Sequence, residues 1–418
     1  MKILTAPFLI PISKPSLKDG ALVLDEGKII DLGPKDKIFA KYPDAIVEDF
    51  PNSVLMPGLV NAHAHLDLLF FNTAKDVPID FFNWLVTGWN HRKTLTPTHR
   101  RQCLEEGTRQ LLQCGTTCVG DAGQFVGIIP QAAKCSMRMV LFPEILTGGE
   151  SAIQEIYDSV FSQLEEIQGK NSNRLSAGLA PYAAYTLSKH LLKILTRQTR
   201  ELKIPLKIHV AETFQEMQFF FESSGDIAER LFPAMGWVNQ LPPEHRKTPI
   251  LYLESIGFLE NAPTLVGCNH LSETDLQVLV KSGSKVVHSP RSNAHLKLGN
   301  PPLKKLSALG VPIALGTDGA GSLYSLSLWD EMRTIQDHYP KADQPKPLEL
   351  LTMATLNGAR ALGLDHRVGS LTPGKEADFI AIHAPKDVSL TDLPEWLIAH
   401  VTEREIGAVF IEGKRVKV

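Results

Sequence analysis

The chain has 418 residues and a formal net charge of -3, with 43 lysines and arginines against 46 aspartates and glutamates. That length suits a large domain with a smaller module, and the balance of charge excludes a basic nucleic-acid stripe or a polybasic membrane tail. No apolar run is long enough to span a bilayer. The five cysteines, Cys103, Cys114, Cys118, Cys135 and Cys268, are odd in number and scattered. They fit packing roles in a reducing compartment, so the cytoplasm is expected.

The opening "MKILTAPFLIPIS" is interrupted by Pro7 and Pro11 and lacks a small-x-small cleavage site, so it reads as a first strand rather than a signal peptide. "GALVLDEGKIIDLG" follows, two apolar runs about Glu26-Gly27, which is a hairpin signal. The far end repeats the pattern in "GKEADFIAIHAP" and "IGAVFIEGKRVKV", with a turn at Glu412-Gly413. Neither end alone has enough strands to bury a face, so residues 1–56 and 366–418 are expected to combine into one small β-sandwich.

Between them, residues 57–365 alternate short apolar runs with amphipathic stretches. The runs are "VLMPGLV" (54–60), "TTCVGD" (116–121), "MRMVLFPE" (137–144), "RLSAGLAP" (174–181), "PLKIHVAE" (205–212), "TLVGCNH" (264–270), "SKVVHS" (284–289) and "VPIALGTD" (311–318). "HRRQCLEEGTRQLLQ" (99–113) and "KHLLKILTRQTREL" (189–202) are among the helical patterns between them. Eight such strands alternating with helices predict an α/β fold, a (β/α)8 barrel. His63 and His65 are then expected just after the first strand, His209 and Glu212 at the fifth, His270 at the sixth and Asp318 at the eighth. The C-terminal strand ends of such a barrel gather at one mouth, where active sites sit.

In extended chain, residues i and i+2 point the same way, so His63 and His65 can aim two imidazoles at one ion. A third nitrogen from His209 and an oxygen from Asp318 would complete a ligand set suited to Zn²⁺, with Fe²⁺ or Mn²⁺ as alternatives. An H-x-H taken alone is more often a pair of hydrogen-bonded histidines. Here His209, His270 and Asp318 at other strand ends argue for the ion.

"PGLVNAHAHLD", "HVAET", "NHLSETD", "HSPRSNAHLKLG", "LGTDGAGS" and "GSLTPGKEADFIAI" occur in the order and spacing of the amidohydrolase superfamily. They resemble most its cytosine, guanine and adenosine-type deaminase and chlorohydrolase branch, over nearly the whole chain. The resemblance implies a distorted barrel with one divalent metal per chain, bound by His63, His65, His209 and Asp318. Relatives with two metals bridge them by a lysine after the fourth strand, and "RLSAGLAPY" has none. The resemblance further implies that Glu212 protonates a ring nitrogen, that Asp318 takes the proton of the attacking water, and that His270 steadies the addition intermediate.

The substrate is less legible. Phe81, Phe82, Trp84 and Trp89 of "DFFNWLVTGWN" either line a pocket or form the buried face of a helix. Arg291 either grips a substrate carboxylate or hydroxyl, or pairs with a protein carboxylate. Tyr182 stands where many relatives have a substrate-contacting histidine, and His288 where they often have cysteine. "DFFNWL", "HSPRSN" and "PPLKKLSALGVPIALGTDGAGS" are most similar to aminodeoxyfutalosine deaminases of menaquinone synthesis, then to S-adenosylhomocysteine and methylthioadenosine deaminases. The expected substrate is a 6-aminopurine ribonucleoside with a large 5′ substituent. Guanine deamination, a chlorohydrolase or cyclic amidohydrolase, and an inactive scaffold barrel are the alternatives. No nucleic-acid or membrane partner is expected. Residues 214–263, with "MQFFFESSG", read as a lid, a contact between like subunits or a helix packed on the barrel.

Overall fold

The computed structural model describes residues 1–71, 80–146, 153–170, 172–319, 325–385 and 387–416. The end of "LGTDGAGS" (320–322) and of "IGAVFIEGKRVKV" (417–418) lies outside the described residues. In chain order the strands are β1 (Lys2–Leu9), β2 (Leu17–Asp25), β3 (Lys28–Pro34), β4 (Ile46–Asp49) and β5 (Ser53–Pro57). Next come β6 (Leu59–His65), β7 (Thr116–Gly123), β8 (Arg138–Ile145), β9 (Leu175–Ala177) and β10 (Ala180–Pro181). They are followed by β11 (Lys207–Val210), β12 (Thr264–Gly267), β13 (Lys285–His288), β14 (Ile313–Leu315) and β15 (Asp318–Gly319). The last are β16 (Phe379–His383), β17 (Ile406–Ile411) and β18 (Lys414–Val416).

The two chain ends do combine. They form one eight-stranded sheet in the order β18-β17-β16-β5-β1-β2-β3, with β4 also on β1. The β2–β3 and β17–β18 hairpins turn at Glu26-Gly27 and Glu412-Gly413, all four residues in the left-handed region, as a two-residue turn of matching twist requires. The sheet closes around its own core of Leu4, Leu22, Leu55, Phe379 and Phe410, with the last two rings stacked 4.4 Å apart.

"VLMPGLV" is not one strand, which corrects the expectation for the first barrel run. Its first half is β5, paired with β1 and β16 in the end sheet, and its second half opens β6 in the barrel. Gly58 makes the hand-over, since a Cβ there would lie 2.1 Å from Thr117 Oγ1. The histidines are therefore the last residues of β6 itself and do not follow it.

Strands β6 to β15 make the parallel barrel. β6, β7, β8 with β9 and β10, and β15 form one sheet, and β11 to β14 form a second. Bridges Leu179–Leu206 and Ala183–His209 close one seam, and the bond from Thr317 N to His63 O (2.9 Å) closes the other. β6, β7, β8 and β11 are buried along their whole length, as strands covered on both faces must be. Helices over Pro97–Gln113 and Lys189–Leu202 lie where the amphipathic stretches put them. The helix Phe214–Glu222 packs Phe219 and Phe220 into the core and leaves Phe221 39% exposed, so "MQFFFESSG" is a packed helix. Among the described residues no helix is long and apolar enough to cross a membrane.

Barrel and end sheet are joined by a buried charge cluster. Arg138, at the start of β8, donates to Asp378 (3.0 Å), to Glu376 and to the Asn173 carbonyl (2.7 Å). Asp378 immediately precedes β16, so the joint reaches the sheet that unites the chain ends.

Candidate active site

His63 and His65 leave the end of β6 on the same side, and β11 brings His209 to meet them. Each residue offers a nitrogen within 4.8 Å of the others, and the ring centroids of His63 lie 4.7 Å from His65 and 4.8 Å from His209. Asp318, in the left-handed conformation, turns Oδ1 toward His63 Nε2 (3.5 Å) and His65 Nε2 (3.4 Å). Ser292 holds the other oxygen at 2.6 Å. The seam is tight. Gly316 approaches so closely that a Cβ would sit 2.7 Å from the His63 carbonyl, and Asn61 braces Thr317 at 2.8 Å.

All four groups are buried. Burial holds His63 far down, to about 3, and pulls His65 well below its usual value, with Arg92 adding to the fall. Both rings are thus neutral at neutral pH, the form that can ligate a metal. For Asp318 burial acts upward, but His63 and His65 outweigh it and keep the carboxylate ionised. Both ring nitrogens of His63 and of His209 lack a hydrogen-bond partner. Buried imidazole nitrogens are rarely left so, and three converging beside an ionised carboxylate fit a divalent cation. His65 Nδ1 donates to the Ala122 carbonyl (2.7 Å), which leaves Nε2 free to ligate.

The other expected residues divide. Glu212 comes to the site, with Oε1 3.5 Å from His209 Nδ1. Tyr182 stacks on the His209 ring at 5.1 Å, and burial, with Tyr185 and Glu212 nearby, keeps its hydroxyl protonated. Trp84 lines the same cavity with a buried indole N–H that has no partner. Phe81 and Trp89 line it too, while Phe82 is buried away from it. His270 is outside this group. It lies beyond β12 with Nε2 3.0 Å from the Leu298 carbonyl, and it does not line the cavity. Arg291 is engaged with protein, its Nη1 3.0 Å from the Ser325 carbonyl and near Asp330 and Glu331. His288 lies in the core, bonded to the Tyr339 hydroxyl at 3.1 Å.

Sequence reasoning missed four residues that fix the site. Arg92 is buried among Asp67 (3.0 Å), Glu144 (2.5 Å) and His65 Nδ1 (2.8 Å). Lys207, two residues before His209 on β11, reaches across to the Ala62 carbonyl (2.8 Å) and braces β6. Glu216 takes the amides of Ala211 and Glu212, each at 2.9 Å, and so holds the left-handed turn at Ala211 that presents Glu212. Ser292 is the fourth.

A family model described as the amidohydrolase family matches residues 54–416. The chain belongs to the amidohydrolase family. It is thereby a hydrolase acting on carbon–nitrogen bonds. This amidohydrolase is 29% identical over 427 residues to the 5-methylthioadenosine/S-adenosylhomocysteine deaminase of Desulfitobacterium hafniense, covering 99% of this chain and 92% of that one. It is 27% identical to the aminodeoxyfutalosine deaminase of Nitratiruptor sp., with 98% of each chain covered. Among solved structures, a zinc-bound adenosine deaminase from Xanthomonas campestris superposes with a TM-score of 0.82 at 25% identity, over 99% of this amidohydrolase and 92% of that chain.

Proposed function

We propose that this amidohydrolase is a hydrolytic deaminase of 6-aminopurine ribonucleosides carrying a 5′ substituent, with one zinc ion per chain held by His63, His65, His209 and Asp318. The observation that carries the reading is the placement of Glu212 beside three converging, buried imidazoles, those of His63 and His209 without hydrogen-bond partners, at a cavity walled by aromatic rings. The metal, when bound, lowers the pKa of a water so that hydroxide is available at neutral pH. Glu212 then donates a proton to the ring nitrogen next to the attacked carbon, and takes one back from the added oxygen as the carbon–nitrogen bond to the amine breaks. Asp318 accepts the water proton and passes it to the departing amine, so ammonia leaves neutral. Tyr182 and the Trp84 N–H are donors suited to the nitrogens of a flat base, and the rings of Phe81 and Trp89 supply an apolar wall. Aminodeoxyfutalosine is our first choice of substrate, which would place the enzyme in menaquinone synthesis. The relatives support methylthioadenosine and S-adenosylhomocysteine as strongly.

The test is a substrate panel with zinc-loaded protein: aminodeoxyfutalosine, S-adenosylhomocysteine, methylthioadenosine, adenosine and guanine. Conversion of adenine to hypoxanthine is followed by ultraviolet absorbance and checked by ammonia release. A clear preference for one 5′-substituted nucleoside is expected. Metal-replete protein that releases ammonia from none of them would refute the purine reading.

A further inference from the structure

A second cavity, of about 730 Å³, shares no lining residue with the first. Its volume is in the range of small-molecule sites, roughly 300–1,000 Å³. The floor is aromatic. Phe219 packs on Phe232 at 5.3 Å between centroids, and Phe220 packs on Tyr252 at 4.9 Å. The basic side chains that line it are Lys189, His245 and Lys247, and among the described residues no carboxylate lines it. Lys189 and Lys247 both act on His245. Burial lowers the pKa of that ring first, and the two ammonium groups lower it further. The ring itself lies over Tyr252 at 4.4 Å and Phe220 at 5.7 Å, and Lys189 and Lys247 line the same cavity as this aromatic floor. Tyr185 also lines the cavity. It is 5% exposed, and its hydroxyl has no hydrogen-bond partner.

We infer that this cavity binds a small amphipathic carboxylate, with an aromatic body seated on Phe219, Phe220, Phe232 and Tyr252, and its carboxylate at Lys189 and Lys247. The site adjoins the catalytic apparatus through one element. The helix Phe214–Glu222 carries Phe219 and Phe220 on the cavity side and Glu216, which holds the Ala211 and Glu212 amides. The inference does not depend on the deaminase reading, because its readout is binding alone.

The probe is 3-phenylpropionate, titrated into the full-length, zinc-loaded protein by saturation-transfer NMR, with 3-phenylpropionamide as the uncharged control. The acid is expected to bind at least about tenfold more tightly than the amide, the worth of one modest charge contact. Lys189→Glu combined with Lys247→Glu removes that advantage and leaves the amide unchanged. Ser255→Trp, a substitution at an exposed lining position, fills the cavity from its rim and abolishes both signals. Acid binding that survives Ser255→Trp would put the carboxylate elsewhere, the metal included, and would overturn the inference. Equal affinity of acid and amide, or no binding of the acid up to about 10 mM, would overturn it as well.

Discussion

Glu212 and His63 make different contributions, and substitution separates them. In Glu212→Gln the imidazoles are untouched, so bound metal is expected to stay at one per chain while turnover falls by about 10²–10⁴, the usual yield of a positioned proton donor. His63→Ala removes a proposed ligand and is expected to lose metal and activity together. Metal analysis beside a turnover assay reads both. Glu331 gives a pH signature of another kind. It is fully buried, and burial raises its pKa to about 8, although Arg291 opposes the rise. Below its ordinary value of 4.5 the folded and unfolded states are both protonated and nothing is lost. As pH rises from there toward 8, the unfolded chain ionises and the folded one does not, so stability declines across that window. In Glu331→Gln that decline is expected to become shallower, seen as urea midpoints that fall less between pH 5 and 8. How much of the site was legible also divides by residue. His63, His65, His209, Glu212 and Asp318 sit at strand ends of a repeating pattern, and the fold brings them together. Glu216 and Ser292 gave no such signal, because each acts on one backbone turn or one carboxylate oxygen that exists only once the chain is folded.

The helix Phe81–Thr94 shows what a pattern of residues can and cannot reveal. Its inner stripe runs Phe81, Trp84, Leu85, Gly88, Trp89 and Arg92, a helical period, so "pocket wall" and "buried helix face" are both true of it. Arg92 continues that stripe by one turn, and the period alone could have marked it as facing the site. Its partners Asp67 and Glu144 come from other elements, out of reach of any local pattern. In this structure the aromatic stripe leaves a cavity of only about 20 Å³ beside the histidines, room for a water-sized species. A nucleoside needs far more, on the order of 300 Å³. We therefore expect the stripe to move when substrate enters. Hydrogen–deuterium exchange over 81–94 is expected to change on binding a nucleoside inhibitor, while β6 and β11 stay protected. Unchanged exchange over 81–94 in the presence of a bound inhibitor would count against this movement.

At the scale of the molecule, the sequence patterns predicted the barrel order and the union of the two ends, and they misplaced one boundary. "VLMPGLV" is uniformly apolar, so nothing in its hydrophobicity marks the passage from end sheet to barrel at Gly58. The joint between the two bodies was equally hidden, since Arg138 lies far in sequence from its partners Glu376 and Asp378. Removing one partner of such a buried pair leaves an uncompensated charge, at a cost of about 3–5 kcal/mol. Arg138→Met is expected to lower the stability of the whole chain by that order in denaturant unfolding, with little change in KM, because Arg138 does not line the catalytic cavity.

The pairing of β5 with β16 has a consequence in time. Ser53 lies opposite His383, and Pro57 opposite Phe379. A ribosome making this protein therefore exposes β5 long before its neighbour β16 exists, and at roughly 5–20 residues per second about 16 to 65 seconds of synthesis separate the two. Through that interval the nascent amino-terminal strands carry an unpaired apolar edge. The barrel can begin to assemble behind them, but the sheet that clamps its base is sealed only when β16 emerges. Chaperone demand during translation should peak in that interval.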